Sequence, residues 1–199
     1  MTSQLTFVRK TGASIAEVFD GLARLRIAVF RDYPYLYEGS VEYEKGYLQT
    51  YLRSDRSFLF AVYDGNTMVG ATTCIPLEDE TAEIRKPFED ADFDVKKICY
   101  FGESILLPNY RGTGLGHRFF DEREAHARSL GDFKICCFCS VDRGEDHPLK
   151  PADYRSNDAF WLKRGYQKET ALQSAMEWPD LGESVSTPKT MIFWTKPLH

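Results

Sequence analysis

The chain has 199 residues, enough for one well-filled core and short for two independent domains, so one domain over residues 1–199 is predicted. Its 25 Lys and Arg and 30 Asp and Glu side chains give a formal charge of −5, the wrong sign for attraction to nucleic acid or an anionic membrane. With 43% hydrophobic and 28% charged residues, the composition is typical of an ordered globular protein. No signal-type or membrane-spanning apolar run is visible, so a cytoplasmic location is expected.

The cysteine pattern favours reduced thiols. Five cysteines make an odd count, and Cys136, Cys137 and Cys139 fall in one short apolar stretch, as buried strand residues do. Adjacent strand residues point to opposite faces of a sheet, and no histidine lies nearby at ligand spacing. No metal site is therefore predicted.

Two helices are predicted after a first strand candidate at residues 5–9. Ser14 and Glu17 form a capping-box pattern, and the helix that follows has an apolar face made of Ile15, Val18, Phe19, Leu22, Leu25 and Val29. Pro34 is expected to end this helix. The second helix has one apolar face, made of Tyr47, Leu48, Tyr51 and Leu52.

A β-hairpin and an acidic connector come next. The runs 57–63 and 68–75 are strand-like, and the turn residues at 64–67 between them predict antiparallel pairing. Residues 78–94 then hold eight acidic and two basic side chains, a net charge of −6. We interpret this segment as a solvated connector, with a patch that attracts cations as the alternative.

The rest of the chain predicts a β-strand–helix–β-strand unit and two more strands. A strand at 97–107 ends at Pro108, a helix at 115–130 ends at Gly131, and a strand with few polar side chains follows at 133–141. Ser156 caps a short helix that ends before Gly165. Strand candidates at 171–178 and 190–196 complete a mixed sheet, so the predicted fold class is α/β.

A glycine-rich turn, Arg111-Gly112-Thr113-Gly114-Leu115-Gly116, separates the strand at 97–107 from the helix at 115–130. Glycines allow a ligand to approach the backbone, and the N–H groups at a helix start bind anions, so a phosphorylated ligand is predicted. A Walker loop is excluded because His117 and Arg118 follow Gly116, and the alternating glycines exclude the dinucleotide fingerprint. The alternative is a plain connection without a ligand.

With these residues the sequence resembles the GNAT superfamily of acyl-CoA-dependent N-acyltransferases, whose signature is Q/R-x-x-G-x-G/A after the fourth strand. Arg111, Gly114 and Gly116 match every fixed position of that signature. Pro108-Asn109-Tyr110 before the turn and the later segment 161–166 also look like the family, so the resemblance covers nearly the whole chain. It implies a mixed, mostly antiparallel central sheet flanked by helices, with a βαβ unit that binds CoA.

The resemblance implies acetyl-CoA as cosubstrate and no metal. In such proteins the pyrophosphate meets the backbone of the turn, and the pantetheine arm pairs with the exposed edge of the fourth strand. The implied cofactor-binding residues are Ser104, Ile105, Leu106, Arg111, Gly112, Thr113, Gly114, Leu115 and Gly116, with Asn157 from the later helix. A backbone N–H near Leu106 is expected to hydrogen-bond the thioester carbonyl.

A proton acceptor is expected because an amine with a pKa of about 10.4 is protonated at neutral pH. Glu103 is the candidate general base, since several relatives carry an acidic residue at this place. The alternatives are a structural carboxylate or one that only binds a cationic acceptor. The family's usual acid, a Tyr, is replaced by Trp161, which has no acidic proton, so water is expected to protonate the thiolate.

Other polar residues near the implied site are interpreted as follows. Tyr33, Tyr35 and Tyr37 either line the acceptor pocket or pack in the core. His117 and His126 are expected to face solvent or cap the helix, and Cys139 lacks an activating histidine in the sequence.

The sequence thus predicts an N-acetyltransferase that moves an acetyl group from acetyl-CoA to a primary amine by direct attack. One alternative is a CoA-binding sensor or regulatory module with little turnover, which Trp161 favours. Another is an acetyltransferase that acts on a protein N-terminus or lysine. Small amines or peptides are the expected acceptors, nucleic acid and membranes are not expected partners, and a homodimer agrees with the resemblance.

Overall fold

The computed structural model of this protein describes residues 4–199, and residues 1–3 of the predicted domain lie outside the described part. The strands are β1 (Thr6–Thr11), β2 (Phe58–Asp64), β3 (Thr67–Pro76), β4 (Ile98–Tyr100), β5 (Ser104–Leu106), β6 (Ile135–Val141), β7 (Gln167–Trp178) and β8 (Thr187–Pro197). The α-helices are α1 (Phe19–Phe30), α2 (Val41–Arg53), α3 (Ala82–Asp90), α4 (Leu115–Leu130) and α5 (Asp158–Lys163). None of these described helices is long and apolar enough to cross a membrane.

One mixed sheet joins the strands in the order β1-β2-β3-β4-β6-β8-β7, and β5 pairs with β3 beside this path. Within the described residues every pairing is antiparallel except that of β4 with β6. The parallel pair is connected through α4, which confirms the predicted β-strand–helix–β-strand unit. The hairpin of β2 and β3 is also confirmed. The predicted fold class, a mostly antiparallel sheet flanked by helices, is therefore confirmed.

Two hydrophobic cores cover the two faces of the sheet. The first contains Leu22 of α1, Leu48 of α2 and Phe88 of α3, and the second contains Phe119 and Phe120 of α4. Strand β2 contributes to both cores, because successive residues of a strand point to opposite faces. Its members are Leu59 and Ala61 in the first core and Phe58, Phe60 and Val62 in the second.

The start of the first helix differs from the prediction. Ser14 Oγ accepts a hydrogen bond from the Thr11 N–H at 3.1 Å, and Gly12–Val18 forms a 3-10 segment before α1 begins at Phe19. Glu17 forms an ion pair with Lys10 instead of capping the helix. The Ser14–Glu17 capping box is therefore wrong, because Ser14 already closes a turn with the end of β1.

The strand predicted at 97–107 is interrupted by a bulge. Its halves are β4 and β5, and Phe101-Gly102-Glu103 lies between them. The Gly102 N–H donates to Thr73 O at 3.2 Å, so the bulge stays attached to β3. A Cβ at position 102 would lie 1.8 Å from the Tyr51 hydroxyl, so only glycine fits there. This close approach permits the change in strand direction.

The acidic segment 78–94, interpreted as a solvated connector, contains a helix that was not predicted. In α3, Ile84 and Phe88 lie one turn apart and are buried, whereas most of the acidic side chains face solvent. Pro87 inside α3 has no N–H for the carbonyl of Glu83. The Ser174 hydroxyl of β7 donates to that carbonyl at 2.6 Å, so the helix tolerates its proline through a tertiary contact.

Glu80, just before α3, makes the stability of the protein depend on pH. It is 4% exposed, and burial raises its pKa from 4.5 to about 7, with the Thr81 N–H opposing and Glu103 adding to the shift. The folded protein therefore keeps a proton that the unfolded chain releases above pH 4.5. We expect the free energy of unfolding to fall by about 3 kcal/mol between pH 4.5 and 7 through this residue. Urea unfolding of wild type and of Glu80→Gln between pH 4.5 and 7 measures this fall in the free energy of unfolding. The same pH dependence in both proteins would contradict the role of Glu80.

Candidate active site

A gap opens in the sheet where β5 diverges from β6. The Phe101 N–H donates to Cys137 O at 2.7 Å, and beyond this bond β6 pairs only with β8, on its other edge, among the described strands. The opening is a cavity of about 270 Å³, here called the gap cavity. It is lined on one side by Gly102 and Ser104 and on the other by Phe138, Cys139 and Ser140. The bulge thus positions the opening.

A groove continues from the gap cavity along β5 to the start of α4. Its volume is about 610 Å³, and the sequence-predicted residues that line it are Ser104, Ile105, Leu106, Arg111, Gly116 and Asn157. Tyr33, Tyr35, Tyr154 and Trp161 line both the groove and the gap cavity. The fold therefore brings residues from four separate segments of the chain onto one continuous surface.

Main-chain groups of β5 face the gap. The Leu107 N–H donates to Val69 O, and Glu103 O accepts from the Thr73 N–H, so the backbone groups of residues 103 and 107 face β3. In an antiparallel strand the backbone N–H and C=O groups of alternate residues point to opposite sides. The N–H groups of Ser104 and Leu106 therefore point away from β3. Arg111 Nε donates to Leu106 O at 3.2 Å from that outer side. An extended ligand in the groove would meet the N–H groups of Ser104 and Leu106 on this edge, while the Leu106 carbonyl is bonded to Arg111.

The glycine-rich turn leads directly into α4. Gly112 and Gly114 have φ values of 75° and 88°, in the left-handed region that favours glycine. The first helical hydrogen bond runs from the Arg118 N–H to Gly114 O, so the N–H groups of residues 115–117 precede it. A Cβ at either glycine would meet no protein atom within 4 Å, which leaves space against the backbone. This is the geometry of an anion site at a helix start.

Leu115 and Thr113 of the glycine-rich turn were predicted to bind the cofactor, and their side chains make other contacts in the structure. The Leu115 side chain is buried in the second core, so only its backbone faces the turn. Thr113 is exposed, and its hydroxyl donates to Tyr110 O at 2.7 Å, while the Tyr110 hydroxyl donates to Asp64 at 2.6 Å. These bonds hold the turn against the β2–β3 hairpin. Asn157 is the exposed N-cap residue of α5, and its carbonyl accepts from the Trp161 N–H.

Glu103 lies in the bulge and is 1% exposed. One carboxylate oxygen accepts from the Arg26 guanidinium and the other from the Thr73 hydroxyl. Arg26 also binds Glu44, which is fully buried. Burial lowers the pKa of the Arg26 guanidinium. The charge interactions with Glu103, Tyr47 and Glu44 are stronger than this effect, so the net result is a raised pKa. Arg26 therefore stays charged between two carboxylates.

The three predicted acceptor tyrosines lie between α1 and α2 in different surroundings. Tyr33 packs edge-on against Tyr154 beside the gap, with ring centroids 4.6 Å apart. Tyr35 stacks on Trp178 at 5.9 Å and lines the gap cavity, the groove and a third cavity. Tyr37 is buried and lines the third cavity. We call this third space the tyrosine cavity, after its aromatic wall of Tyr35, Tyr37, Tyr43, Tyr47, Tyr100 and Trp178.

Arg143, which sequence reasoning missed, holds the tyrosine connector in place. Its guanidinium donates to Pro34 O at 2.7 Å and to Tyr35 O, and it binds both oxygens of Asp180 at 2.7 Å. Arg26 was missed as well, although its position on the apolar face of α1, beside Leu22 and Leu25, was a signal. A charged side chain on a buried helix face needs a buried partner of opposite charge, and Arg26 has two, Glu44 and Glu103.

Cys139 and Trp161 border the gap cavity. Burial raises the pKa of the Cys139 thiol to about 12, and its sulfur lies 3.2 Å from the Tyr100 hydroxyl, so the thiol is protonated at neutral pH. The Trp161 ring packs against Phe138 and Trp194, each with centroids 5.0 Å away. Trp161 lies at the position where the resemblance implies a tyrosine that acts as general acid. Its indole lines the gap cavity but has no acidic proton to donate.

The two histidines of α4 lie outside this arrangement. His117 is exposed, as expected. His126 is half-buried, stacks on Phe58 with centroids 4.6 Å apart, and bonds Arg56 O at 3.0 Å, so it is neither solvent-facing nor a cap. Within residues 4–199 no three His, Cys, Asp or Glu side chains form a group that would hold a metal ion.

Comparisons with known proteins match this chain to a family. The acetyltransferase (GNAT) family pattern matches residues 22–148, more than half of the chain, including β5, the glycine-rich turn and α4. A search of curated proteins finds no match.

Solved structures of acetyltransferases have a similar fold. A ribosomal-protein-alanine N-acetyltransferase from Brucella melitensis is 12% identical, with 97% of this chain and 99% of that chain covered and a TM-score of 0.60. An N-acetyltransferase from Staphylococcus aureus is 9% identical over 99% and 100% of the two chains, with a TM-score of 0.61. An acetyltransferase from Thermus thermophilus is 16% identical over the full length of both, with a TM-score of 0.56. Together with the match over residues 22–148, this fold shows that the chain belongs to the acetyltransferase (GNAT) family.

Proposed function

We propose that this protein transfers an acetyl group from acetyl-CoA to a primary amine by direct attack. One observation carries the proposal: the open edge of β5 lines a groove that ends at the glycine-rich start of α4. A strand edge offers hydrogen bonds to an extended arm with amide groups, and the helix start offers N–H groups to a pyrophosphate. Such a combination fits the two chemically distinct halves of CoA.

The residues of the groove would hold acetyl-CoA in a defined orientation. Residues 112–116 would bind the pyrophosphate through their backbone, and Ser104 and Leu106 would pair with the pantetheine arm. Bound there, the cosubstrate supplies an activated acetyl carbon as a thioester. The Leu106 N–H would then stabilise the negative charge that develops on the carbonyl oxygen.

Proton transfers complete the reaction. The ammonium form of the acceptor gives one proton to Glu103, which lines the tyrosine cavity next to the gap cavity. The neutral amine forms a bond to the acetyl carbon while the carbon–sulfur bond breaks, and a second amine proton reaches the thiolate through water. The products are an amide and free CoA. Because the Cys139 thiol is protonated at neutral pH, direct attack is favoured over an acyl-cysteine route.

A CoA-binding sensor with little turnover is the second candidate, and the packed indole of Trp161 favours it. The two functions separate in one experiment. Calorimetry with acetyl-CoA measures binding, and release of free thiol with a panel of amines, amino acids and peptides measures transfer. Binding without transfer to any acceptor supports the sensor, and absence of binding contradicts both.

We expect Gly114→Val to lower acetyl-CoA affinity by at least about tenfold, because a side chain there fills the space against the turn backbone. Gly131→Val is the matched control: Gly131 ends the same helix with φ 77° and also has open space around it. Both variants place valine in the left-handed region and lose comparable stability. Equal affinities of the two variants, measured by calorimetry, would contradict a ligand at the turn.

A further inference from the structure

The tyrosine cavity is a narrow passage that adjoins the gap cavity. The two share Phe30, Tyr35, Gly102 and Cys139 as lining residues, so they meet at the bulge. The other end opens to solvent, since Tyr43 is 54% exposed and Glu177 is exposed. An acceptor entering here reaches the gap from the side opposite to the groove along β5.

The inner end of this passage carries an excess of negative charge. Arg26 lies between the carboxylates of Glu44 and Glu103, which leaves one negative charge uncompensated in a buried network. Arg26 is also the only cation among the described residues that line the cavity. Arg143 and Lys189 lie near the Trp178 ring, but both pair with Asp180. A cation entering the passage therefore meets a favourable field.

Tyr37 and Glu44 are neighbours: burial, the Glu44 charge and a hydrogen bond with Glu44 raise the pKa of Tyr37. Glu44 is fully buried and lines none of the three cavities. Tyr37 is 7% exposed and lines the cavity. The Tyr37 oxygen is therefore a hydrogen-bond acceptor beside a carboxylate, which suits an ammonium group with its three N–H donors.

The mouth of the passage carries a second acidic group. In residues 4–199 the structure gives Glu177 no ion-pair or hydrogen-bond partner, and it lines the cavity beside Tyr43. The wall between mouth and floor is aromatic, and aromatic faces attract cations. The passage thus is lined by two acidic groups, Glu103 and Glu177, and by one cation, Arg26, which lies over the Phe30 and Tyr47 rings and pairs with Glu103.

The volume of the passage restricts the shape of the acceptor. It measures about 80 Å³, about half the volume of a cavity of about 150 Å³ that holds a benzene ring. This volume favours a linear chain over a ring or over a branched carbon next to the amine.

We propose that the acceptor is a linear α,ω-diamine, a class of substrate that deepens the proposed acetyl transfer and rests on it. One ammonium group enters the passage, loses a proton to Glu103 and is acetylated at the gap. The other stays at the mouth, beside Glu177. Acetylation converts the inner cation into a neutral amide, which removes its attraction to the acidic floor and favours product release.

The test compares 1,5-diaminopentane, pentylamine and 2-aminopentane as acceptors at saturating acetyl-CoA, with free thiol measured as product. We expect kcat/KM to be about fivefold higher for the diamine than for pentylamine, as one exposed ion pair provides. Pentylamine is expected to exceed its branched isomer by at least about tenfold. Glu177→Gln should bring the diamine-to-pentylamine ratio close to one. Glu17→Gln, a surface change that lines none of the three cavities, should preserve the ratio.

The outcomes separate this inference from the proposed function. Equal or better transfer to 2-aminopentane, or to the α-amine of a short peptide, overturns the linear diamine and leaves acetyl transfer intact. An unchanged diamine-to-pentylamine ratio in Glu177→Gln overturns the binding of the second ammonium group beside Glu177 and likewise leaves acetyl transfer intact. Binding of acetyl-CoA without transfer to any amine overturns both.

Discussion

Glu103→Gln is expected to lower kcat by about 10²- to 10⁴-fold while the affinity for acetyl-CoA stays unchanged. The side chain lies in the bulge, lines the tyrosine cavity and accepts from Arg26 and Thr73. Glutamine keeps the size of the side chain and the carbonyl acceptor but cannot take a proton from the incoming amine. Single-turnover rates and calorimetry separate the two effects.

Glu44→Gln is the matched control for this experiment. Glu44 binds the same guanidinium but is absent from the lining of all three cavities. If Glu103 acts only as a counterion of Arg26, Glu103→Gln and Glu44→Gln should lower kcat by similar factors. If it accepts a proton, Glu44→Gln should change mainly the KM of the acceptor. Full rate in Glu103→Gln at every pH would rule out the general-base role.

Leu106→Pro is expected to lower kcat by about 10²- to 10³-fold, because it removes the N–H proposed to stabilise the developing negative charge. Proline is tolerated on the open side of a strand, and the Leu106 N–H points away from β3. The variant should therefore remain folded, as thermal unfolding can verify. Stopped-flow measurement of thiol release at saturating substrates gives the change in kcat.

Leu106→Ala provides the comparison, because it removes the side chain and keeps the N–H. We expect it to retain kcat within about threefold, although the half-buried leucine contributes to packing in the second core. Comparable losses of kcat in both variants would assign the effect to packing and would contradict a role of the backbone donor.

Local patterns in the sequence were sufficient for several parts of the structure. The alternation of strand residues around the turn at 64–67 predicted the hairpin, and the helix at 115–130 is α4 with the predicted ends. Gly114 and Gly131 mark both ends of α4 because each adopts a left-handed conformation that other residues avoid. Such features depend on residues close together in the chain, so spacing and residue type reveal them.

Contacts between distant segments decided what spacing could not reveal. Pro87 cannot bond to the Glu83 carbonyl within α3, and the Ser174 hydroxyl of β7, 91 positions away, donates to that carbonyl instead. Likewise, the pairing of Glu103 with Arg26 joins the bulge to α1, across 77 positions of sequence.

By itself the sequence determined the order of most elements and the position of the glycine-rich turn, and its resemblance to the family pointed to the candidate residues Glu103, Tyr33, Tyr35 and Tyr37. Only the tertiary structure decided where these residues face. The bulge at residues 101–103 lies where β5 leaves β6, and position 102 must be glycine because a side chain there would collide with Tyr51. Beyond the bulge, the Leu106 N–H points away from β3 and Leu106 lines the groove along β5. The bulge also places Glu103 next to the tyrosine cavity, a consequence of packing that no local pattern contains.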